Sequence, residues 1–432
     1  MSREKRSWLA MALGALVLAF GLAACGDDDD DGDGGGDAPE TGFTLTIGDL
    51  VPLTGDLSTF GPPGRKAADL AIQELEQAIE EAGIDSQVGI EHADTETNSQ
   101  ASVQAARQLI SGDASCLTGA WASADTIPVG TSVAARQRIP LISPASTSAE
   151  ITELDDNGFV WRTAPSDTLQ GPALADTVEE ELGGTDFTVS LAARNDAYGQ
   201  GLISSFQEAW EGKGGSVTGP VLYDPEQPSF NSEAAEIVAG NPDAYVIVDF
   251  PETYAKMGAA LVRTGEFDAS TLFVTDGLAG DTIPEGIPEG ALEGARGTRP
   301  GTPEEGEAPE AFNELYTSAP GPDRQTFDAQ NFDAVMLCFL AALKAGSAEG
   351  PDINEELQAV SGPPGDKLSF LELGDAVTAL SEGEDIDFEG VTGPIDFDDN
   401  GDPTTATYEV FAYEGGSLEV VRQFQAQAEE SQ

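Results

Sequence analysis

The sequence predicts an α/β protein built from two doubly wound lobes of parallel sheet, joined by a hinge that the chain crosses more than once. Three observations carry this. Short alternating or continuous apolar runs give way repeatedly to longer stretches with apolar residues at i, i+3, i+4 and i+7. Strands alternating with helices of that length specify parallel sheets with helices on both faces. The cadence runs once, restarts past residue 160, and is followed by a less regular stretch that must return to both lobes.

In the first run, "FTLTIGDLVPL" alternates Phe43, Leu45 and Ile47 as a strand does. "GPPG" then opens a helix on which Ala68, Ala71, Ile72, Leu75 and Ile79 share a face, ending at Gly83. "QVGIEHAD" is the next strand, and Asn98 or Ser99 can cap the helix "QASVQAARQLIS". "CLTGAW" is a short buried strand, a helix runs from about Ser123 to Arg138, and "IPLISP" is the fourth strand.

The second run pairs strand "FTVSLAAR" with helix "GQGLISSFQEAWEGKG", strand "GSVTGPVLY" with helix "FNSEAAEIVAG", and strand "AYVIVDF" with helix "PETYAKMGAALVRTG", closing on "TLFVTDG". Beyond it, "RPGTPEEGEAPE" reads as a loop, while "TFDAQNFDAVMLCFLAALKAG" and "SFLELGDAVTALSEG" read as helices. "TYEVFAYEGGSLEVV" reads as a closing hairpin. The expected division places 41–162 with 298–403 in lobe one and 163–297 with 404–432 in lobe two.

Ahead of these runs, Arg3, Lys5 and Arg6 precede an uncharged stretch from Trp8 to Ala24. The stretch is shorter than the roughly twenty apolar residues a membrane-spanning helix needs, and it ends in small residues, so export followed by cleavage is expected. Leu22-Ala23-Ala24-Cys25 resembles the lipobox of bacterial lipoproteins, in which the cysteine sulfur is lipidated. That resemblance implies a signal peptide over 1–24 and a membrane anchor at Cys25, since two or more acyl chains hold where one is marginal. Residues 25–40 then form an acidic, glycine-rich tether too poor in apolar residues to fold.

The chain has 432 residues and a net charge of −59, from 78 acidic against 19 basic side chains. About −53 of this falls on residues 41–432. Acid spread in this way argues against nucleic acid and anionic lipid surfaces as partners. It also steers anionic solutes away, so a net-neutral zwitterion is expected over a dicarboxylate, with the effect shrinking as salt rises. Cys116 and Cys338 either pair in an oxidising compartment or stay as buried thiols. Their apolar neighbours, "SCLTGAW" and "AVMLCFLAALKAG", favour the thiols.

Several spaced blocks, in order along nearly the whole body, resemble the branched-chain amino-acid type of periplasmic solute-binding proteins, the receptor components of ABC importers. They are "VPLTGDLSTFGPPGRKAADLAIQEL", "HADTETNSQASVQAARQLI", "LISPASTSAEIT", "FVWRTAPSDTLQGPALAD", "DAYGQGL" and "GVTGPIDFDDNGD". The resemblance implies two lobes closing on a small solute, with delivery to a membrane permease and its ATPase, by a monomer that needs no cofactor. It places the ligand carboxylate on Ser123, Ala145 and Thr147, and the ligand ammonium against Asp276, where family members often carry Glu. Phe60, Trp121, Tyr198 and Phe250 supply the aromatic wall, and Arg162 is a hinge partner.

Each residue also has a plainer reading. Ser123 suits a helix N-cap, Thr147 sits in a serine-rich turn, and Asp276-Gly277 is a common turn pair. The shorter Asp and the aromatic wall leave an amide, a urea-like compound or an aromatic acid open as ligands, and a sensing surface lipoprotein is the alternative role.

Enzyme chemistry is not supported by the sequence. His92 is the only histidine, which excludes a multi-histidine zinc centre, and no G-x-S-x-G elbow, Walker A motif or strand-linked G-x-G-x-x-G occurs. Asp396, Asp398, Asn400 and Gly401 match the start of a calcium loop, but its twelfth position is Thr407, so a turn on Asn400-Gly401 is expected.

Overall fold

The computed structural model describes residues 41–428, apart from 282, 284 and 285. The signal peptide, Cys25 and the tether lie outside the described residues. Among the described residues no single helix is long and apolar enough to cross a membrane.

The first sheet contains β1 (Thr44–Val51), β2 (Gln87–Asp94), β3 (Ala114–Thr118), β4 (Leu141–Ser143) and β5 (Val160–Arg162). Its order is β2-β1-β3-β4-β5, and every pair is parallel. Between the strands run α1 (Gly61–Ala82), α2 (Ser99–Ser111), α3 (Ser123–Val129), α4 (Ala135–Gln137) and α5 (Ala149–Thr152). A π turn over Gly130–Ala134 links α3 to α4, so the helical path expected from about Ser123 to Arg138 is kept. α1 starts on Pro62 and Pro63, whose missing N–H groups cost nothing in a first turn. It ends at Gly83 in the left-handed region, φ 68°. Of the two candidate caps for α2, Asn98 holds the position, its side chain accepting from the N–H groups of Gln100 and Ala101.

The chain then crosses to the second sheet. Here β6 (Thr188–Arg194), β7 (Ser216–Tyr223), β8 (Ala244–Val248), β9 (Leu272–Val274) and β10 (Arg296–Pro300) alternate with α6 (Asp167–Leu182), α7 (Ala197–Gly212), α8 (Asn231–Ile237) and α9 (Pro251–Thr264). A return crossing leads to α10 (Glu307–Ser318), α11 (Asp328–Ala345) and α12 (Gly350–Ser361). β11 (Asp366–Leu368), α13 (Leu373–Ser381), β12 (Ile386–Gly390) and β13 (Gly393–Pro394) follow, with β11 to β13 forming a small sheet of their own. A third crossing carries the chain to the hairpin β14 (Thr405–Glu414) and β15 (Ser417–Gln427), which adds antiparallel to β10. The second sheet thus reads β15-β14-β10-β9-β8-β6-β7. Residues 298–300, expected with the first lobe, belong to β10, because Thr298 and Pro300 pair with Val410 and Tyr408 of the hairpin.

Two sequence expectations are corrected. "RPGTPEEGEAPE" is not all loop: α10 begins at Glu307, where Phe312 and Tyr316, one helical turn apart, bury their rings beside Phe332. Cys116 and Cys338 are not free thiols but a disulfide, joining β3 to α11 across 222 residues of sequence. Apolar neighbours describe the burial of both sulfurs, and only the packing of α11 on the first sheet brings them together. A crosslink over so long a loop contributes about 2–5 kcal/mol. α11 is buried along nearly its whole length, from Asp328 to Leu343, and forms the centre of the first core with α1, α12 and α13.

Candidate ligand site between the lobes

Parallel sheets leave the loops after their strands at one edge, and ligands bind there. The two sheets turn these edges toward each other and close on a narrow cavity whose water-accessible volume is about 20 Å³. Leu57 and Phe60 come from the loop after β1, Trp121 and Ser123 from the loop after β3, and Ala145 from the loop after β4. Opposite them stand Tyr198 after β6, Phe250 after β8, and Asp276 with Gly277 after β9, while Phe327 enters from the start of α11.

Seven of the eight ligand residues expected from sequence therefore line one cavity: Phe60, Trp121, Ser123, Ala145, Tyr198, Phe250 and Asp276. Thr147 does not. Its carbonyl accepts from the Asp167 N–H at 2.7 Å, and its side chain is buried toward the hinge. The neighbouring serines perform turn chemistry: Ser143 Oγ accepts from Ser146 N at 3.1 Å, and Ser146 Oγ donates to Trp121 O at 2.8 Å.

Ser123 is not the N-cap. Trp121 has φ 76°, the chain is extended again at Ala122, and the cap falls on that residue without a side-chain bond. The Ser123 hydroxyl instead accepts from Ser148 N at 3.2 Å, which leaves its proton free to donate. Trp121 is buried against Gly64, where a Cβ would come within 2.2 Å of the indole. Its indole N–H has no acceptor.

Among the described residues, Asp276 is the only charged side chain lining the cavity. Gln170 Nε2 donates to its Oδ1 at 2.7 Å and the Tyr198 hydroxyl donates to the same oxygen at 3.0 Å. Burial pushes its carboxyl up to about 6, against the opposing effect of these two bonds. Tyr198 stacks on Phe250 with ring centroids 5.1 Å apart, and the Arg194 guanidinium sits 3.8 Å from the Phe250 ring centre. Arg194 also pairs with Asp196, with Asp56 at 3.1 Å and with buried Asp249 at 3.8 Å. Asp56 follows β1, so this pair, with the Thr253 hydroxyl donating to Asp56 at 3.0 Å, ties the two lobes beside the cavity.

Sequence reasoning missed Leu57, Gly277, Phe327, Gln170 and Arg194. An arginine at the end of a strand, in a chain with 19 basic residues, was a usable signal for Arg194. Nothing in "SDTLQG" says that Gln170 turns toward Asp276. Phe327 is held at φ 73°, a backbone region that suits glycine, and no local pattern announces it.

The remaining sequence candidates are spent on structure. Arg162 is fully buried; its Nη1 donates to Ser148 O at 2.9 Å and to Ser146 O at 3.2 Å, and Nε and Nη2 grip both oxygens of Asp402 on the third crossing. Asp398 Oδ1 accepts from Asn400 N and Asp402 N, closing a turn on Asn400-Gly401. Both ring nitrogens of His92 face carboxylates, Asp49 at 2.7 Å and Asp69 at 3.0 Å.

A family model described as periplasmic binding protein matches residues 44–417. The chain belongs to that family. Members of the family are solute-binding proteins that work outside the cytoplasm, several of them with ABC-type transporters. Among curated relatives, the chemotactic signal transduction system substrate-binding protein BasB of Halobacterium salinarum is 25% identical over 372 residues, covering 84% of this chain and 86% of that protein. Among solved structures, the leucine-binding protein LivK of Thermotoga maritima aligns with a TM-score of 0.70 at 24% identity, covering 88% and 98% of the two chains. LivJ of Streptococcus pneumoniae, solved with isoleucine, aligns with a TM-score of 0.71 at 20% identity, covering 89% and 100%. The two structures establish the fold.

Proposed function

We propose that this chain is a lipid-anchored binding protein that captures a net-neutral amino acid by closing its two lobes and delivers it to an ABC permease and its ATPase. The observation that carries the reading is the composition of the interlobe cavity. It holds one buried carboxylate, Asp276, and two unspent neutral donors, the Ser123 hydroxyl and the Trp121 indole N–H, within an otherwise apolar and aromatic wall. An ammonium matches the carboxylate, a carboxylate matches the donors, and an apolar side chain matches the rings. A dicarboxylate would place a second negative charge in this wall with no basic side chain to meet it.

Closure is a hinge motion about the three crossings, with lobe one over 41–162 and most of 298–403. Asp56, Arg194 and Thr253 hold the closed form. Cys25 anchors the chain outside the membrane, and residues 26–40 are the tether. An aromatic acid fits the wall less well, because its carboxylate would take the Ser123 and Trp121 donors and leave Asp276 buried without a cation. A sensory role is the second reading, favoured by the chemotactic name of the Halobacterium relative.

Thermal unfolding against leucine, glutamate, an amide and benzoate tests the proposal. A ligand at a hundred times its Kd adds about 2.7 kcal/mol. Stabilisation by leucine that is lost on Asp276→Asn supports the reading; tighter binding of glutamate than of leucine, or of benzoate alone, overturns it.

A further inference from the structure

β1 and β2 pair in parallel, with Leu45 opposite Val88, Ile47 opposite Ile90 and Asp49 opposite His92. Residues two apart in a strand share a face, so the apolar stripe that packs against α1 and α11 ends in an aspartate and the chain's only histidine. Neither lines the solute cavity. Asp49 is fully buried, and the His92 side chain is 10% exposed. Both ring nitrogens of His92 face a carboxylate: Nδ1 lies 2.7 Å from Asp49 Oδ2, and Nε2 lies 3.0 Å from Asp69 Oδ1 on α1. An ionised carboxylate only accepts, so both bonds exist only when both nitrogens carry protons, as in an imidazolium. Burial by itself disfavours that charge, but the hydrogen bonds and charges of Asp49 and Asp69 outweigh it and hold the ring above the ordinary histidine value.

The other charged groups nearby are engaged. Arg65 pairs with Asp69 at 3.9 Å, and Asp94, next on this face of β2, accepts from the N–H groups of Leu53, Thr54 and Glu96. Among the described residues His92 is the one cationic partner of Asp49. From Asp49 the contacts run on to the solute cavity. Its Oδ1 accepts from Thr118 Oγ1 at 2.9 Å and from Asn331 Nδ2 at 3.3 Å. Thr118 ends β3, three residues before Trp121. Asn331, on the first turn of α11, also donates from Nδ2 to Gly64 O at 3.1 Å, and Gly64 is the residue against which the Trp121 indole packs. The Asn331 N–H donates to the carbonyl of Phe327, a further cavity residue, at 3.1 Å. Asp49 therefore joins the strand that leads to Trp121, the helix on which Trp121 rests and the helix that follows Phe327.

We propose that His92 is a positioning residue for the solute site: as an imidazolium it compensates Asp49, and Asp49 in turn seats Trp121 through Thr118, Asn331 and Gly64. The effect on solute rests on the amino-acid reading of the cavity; the charge of His92 does not. Loss of the second proton removes one of the two carboxylate bonds and leaves Asp49 buried without a counter-charge, so the elements that meet at Asp49 loosen. The folded state holds this proton more tightly than the unfolded chain. The contribution of His92 is therefore complete below the ordinary value of 6.5 and is lost as pH rises through the folded value. Asp276 loses its charge on the acid side, so solute affinity has a limb at each end of the pH range.

The test is nitrogen NMR of the ligand-free full chain, labelled in its histidine ring and tryptophan indoles. The single histidine needs no assignment, and Trp121→Phe identifies the Trp121 indole signal. The expected result is a His92 titration midpoint higher in the folded protein than in urea, with the Trp121 indole signal moving at the same midpoint. Asp69→Asn, at a half-exposed position, lowers both midpoints together. A His92 midpoint at or below that of the unfolded chain, or a Trp121 signal that does not follow it, overturns the proposal. Solute is absent from these measurements, so they stand apart from the amino-acid reading. With leucine, the ratio of wild-type affinity to that of His92→Gln cancels the titration of the ligand's own ammonium. That ratio is about tenfold below the His92 midpoint and approaches one above it. A ratio that does not change with pH marks a merely structural histidine and overturns the positioning role.

Discussion

The two walls of the interlobe cavity are built differently. The first-lobe wall, Leu57, Phe60, Trp121, Ser123 and Ala145, is neutral, and its polar groups are unspent donors. The second-lobe wall carries the charge: Asp276 is gripped by Gln170 and Tyr198, and the Phe250 ring on which Tyr198 stacks is backed by the Arg194 guanidinium. One wall supplies shape and neutral donors, and the other supplies a fixed charge whose position depends on residues outside the cavity. Recognition by charge should therefore be fragile on the second side and graded on the first.

The largest effect is expected at Asp276. Asp276→Asn should weaken leucine binding by about 100-fold or more, since it leaves a buried ammonium without its counter-charge; titration calorimetry on the folded variant reads this directly. Loss of less than about tenfold would shift the charge recognition away from the second wall.

Arg194→Gln comes next. It removes the bond to Asp56 across the lobes and leaves Asp249, already pushed up to about 7 chiefly by burial, without its main cationic neighbour. About 3 kcal/mol of stability should be lost in urea unfolding, with weaker leucine binding as the closed form becomes less favourable. An unchanged midpoint would show that the bridge contributes only locally.

The pH dependence follows from Asp276, whose carboxyl sits at about 6 because it is buried. Leucine needs the charged form, so through Asp276 its affinity should be flat above about pH 7 and fall by up to about tenfold per unit below about 6. In the ligand-free protein the sign reverses. The folded state holds this proton more tightly than the unfolded chain, so the contribution of Asp276 to stability declines as pH rises from about 4 to 6. Asp276→Asn should remove the affinity slope and only reduce the stability slope, to which the buried carboxyls of Asp333, pushed up to about 6, and of Asp249 and Asp125, each pushed up to about 7, also contribute.

Ser123→Ala should cost about tenfold in leucine affinity, the value of one hydrogen bond to a charged group. Tyr198→Phe should cost least, about three- to fivefold, because Gln170 still holds Asp276 Oδ1. A larger loss at Ser123 than at Asp276 would invert the comparison of the two walls.

Much of the scaffold was legible without coordinates. The i, i+3, i+4 stripe of α1, its proline start and glycine stop, and the alternation in β1 follow from local rules that act within a few residues. Most of the cavity was legible as well, because strand ends in parallel sheets are where loops converge, and the resemblance supplied which loop residues to name. Thr147 lies outside the cavity lining because neighbouring residues of one turn point to different sides, and its carbonyl is taken by the first turn of α6.

Sequence by itself therefore determined the two-lobed α/β class, the acidic surface and the loops that meet at the cavity, since periodicity, charge and turn chemistry are local or additive properties. Tertiary structure alone decided the Cys116–Cys338 bond, the grip of Gln170 on Asp276 and the bridge from Asp56 to Arg194. Each joins elements distant in the chain whose separation is set by how helices pack on sheets, and no short stretch of residues encodes that distance.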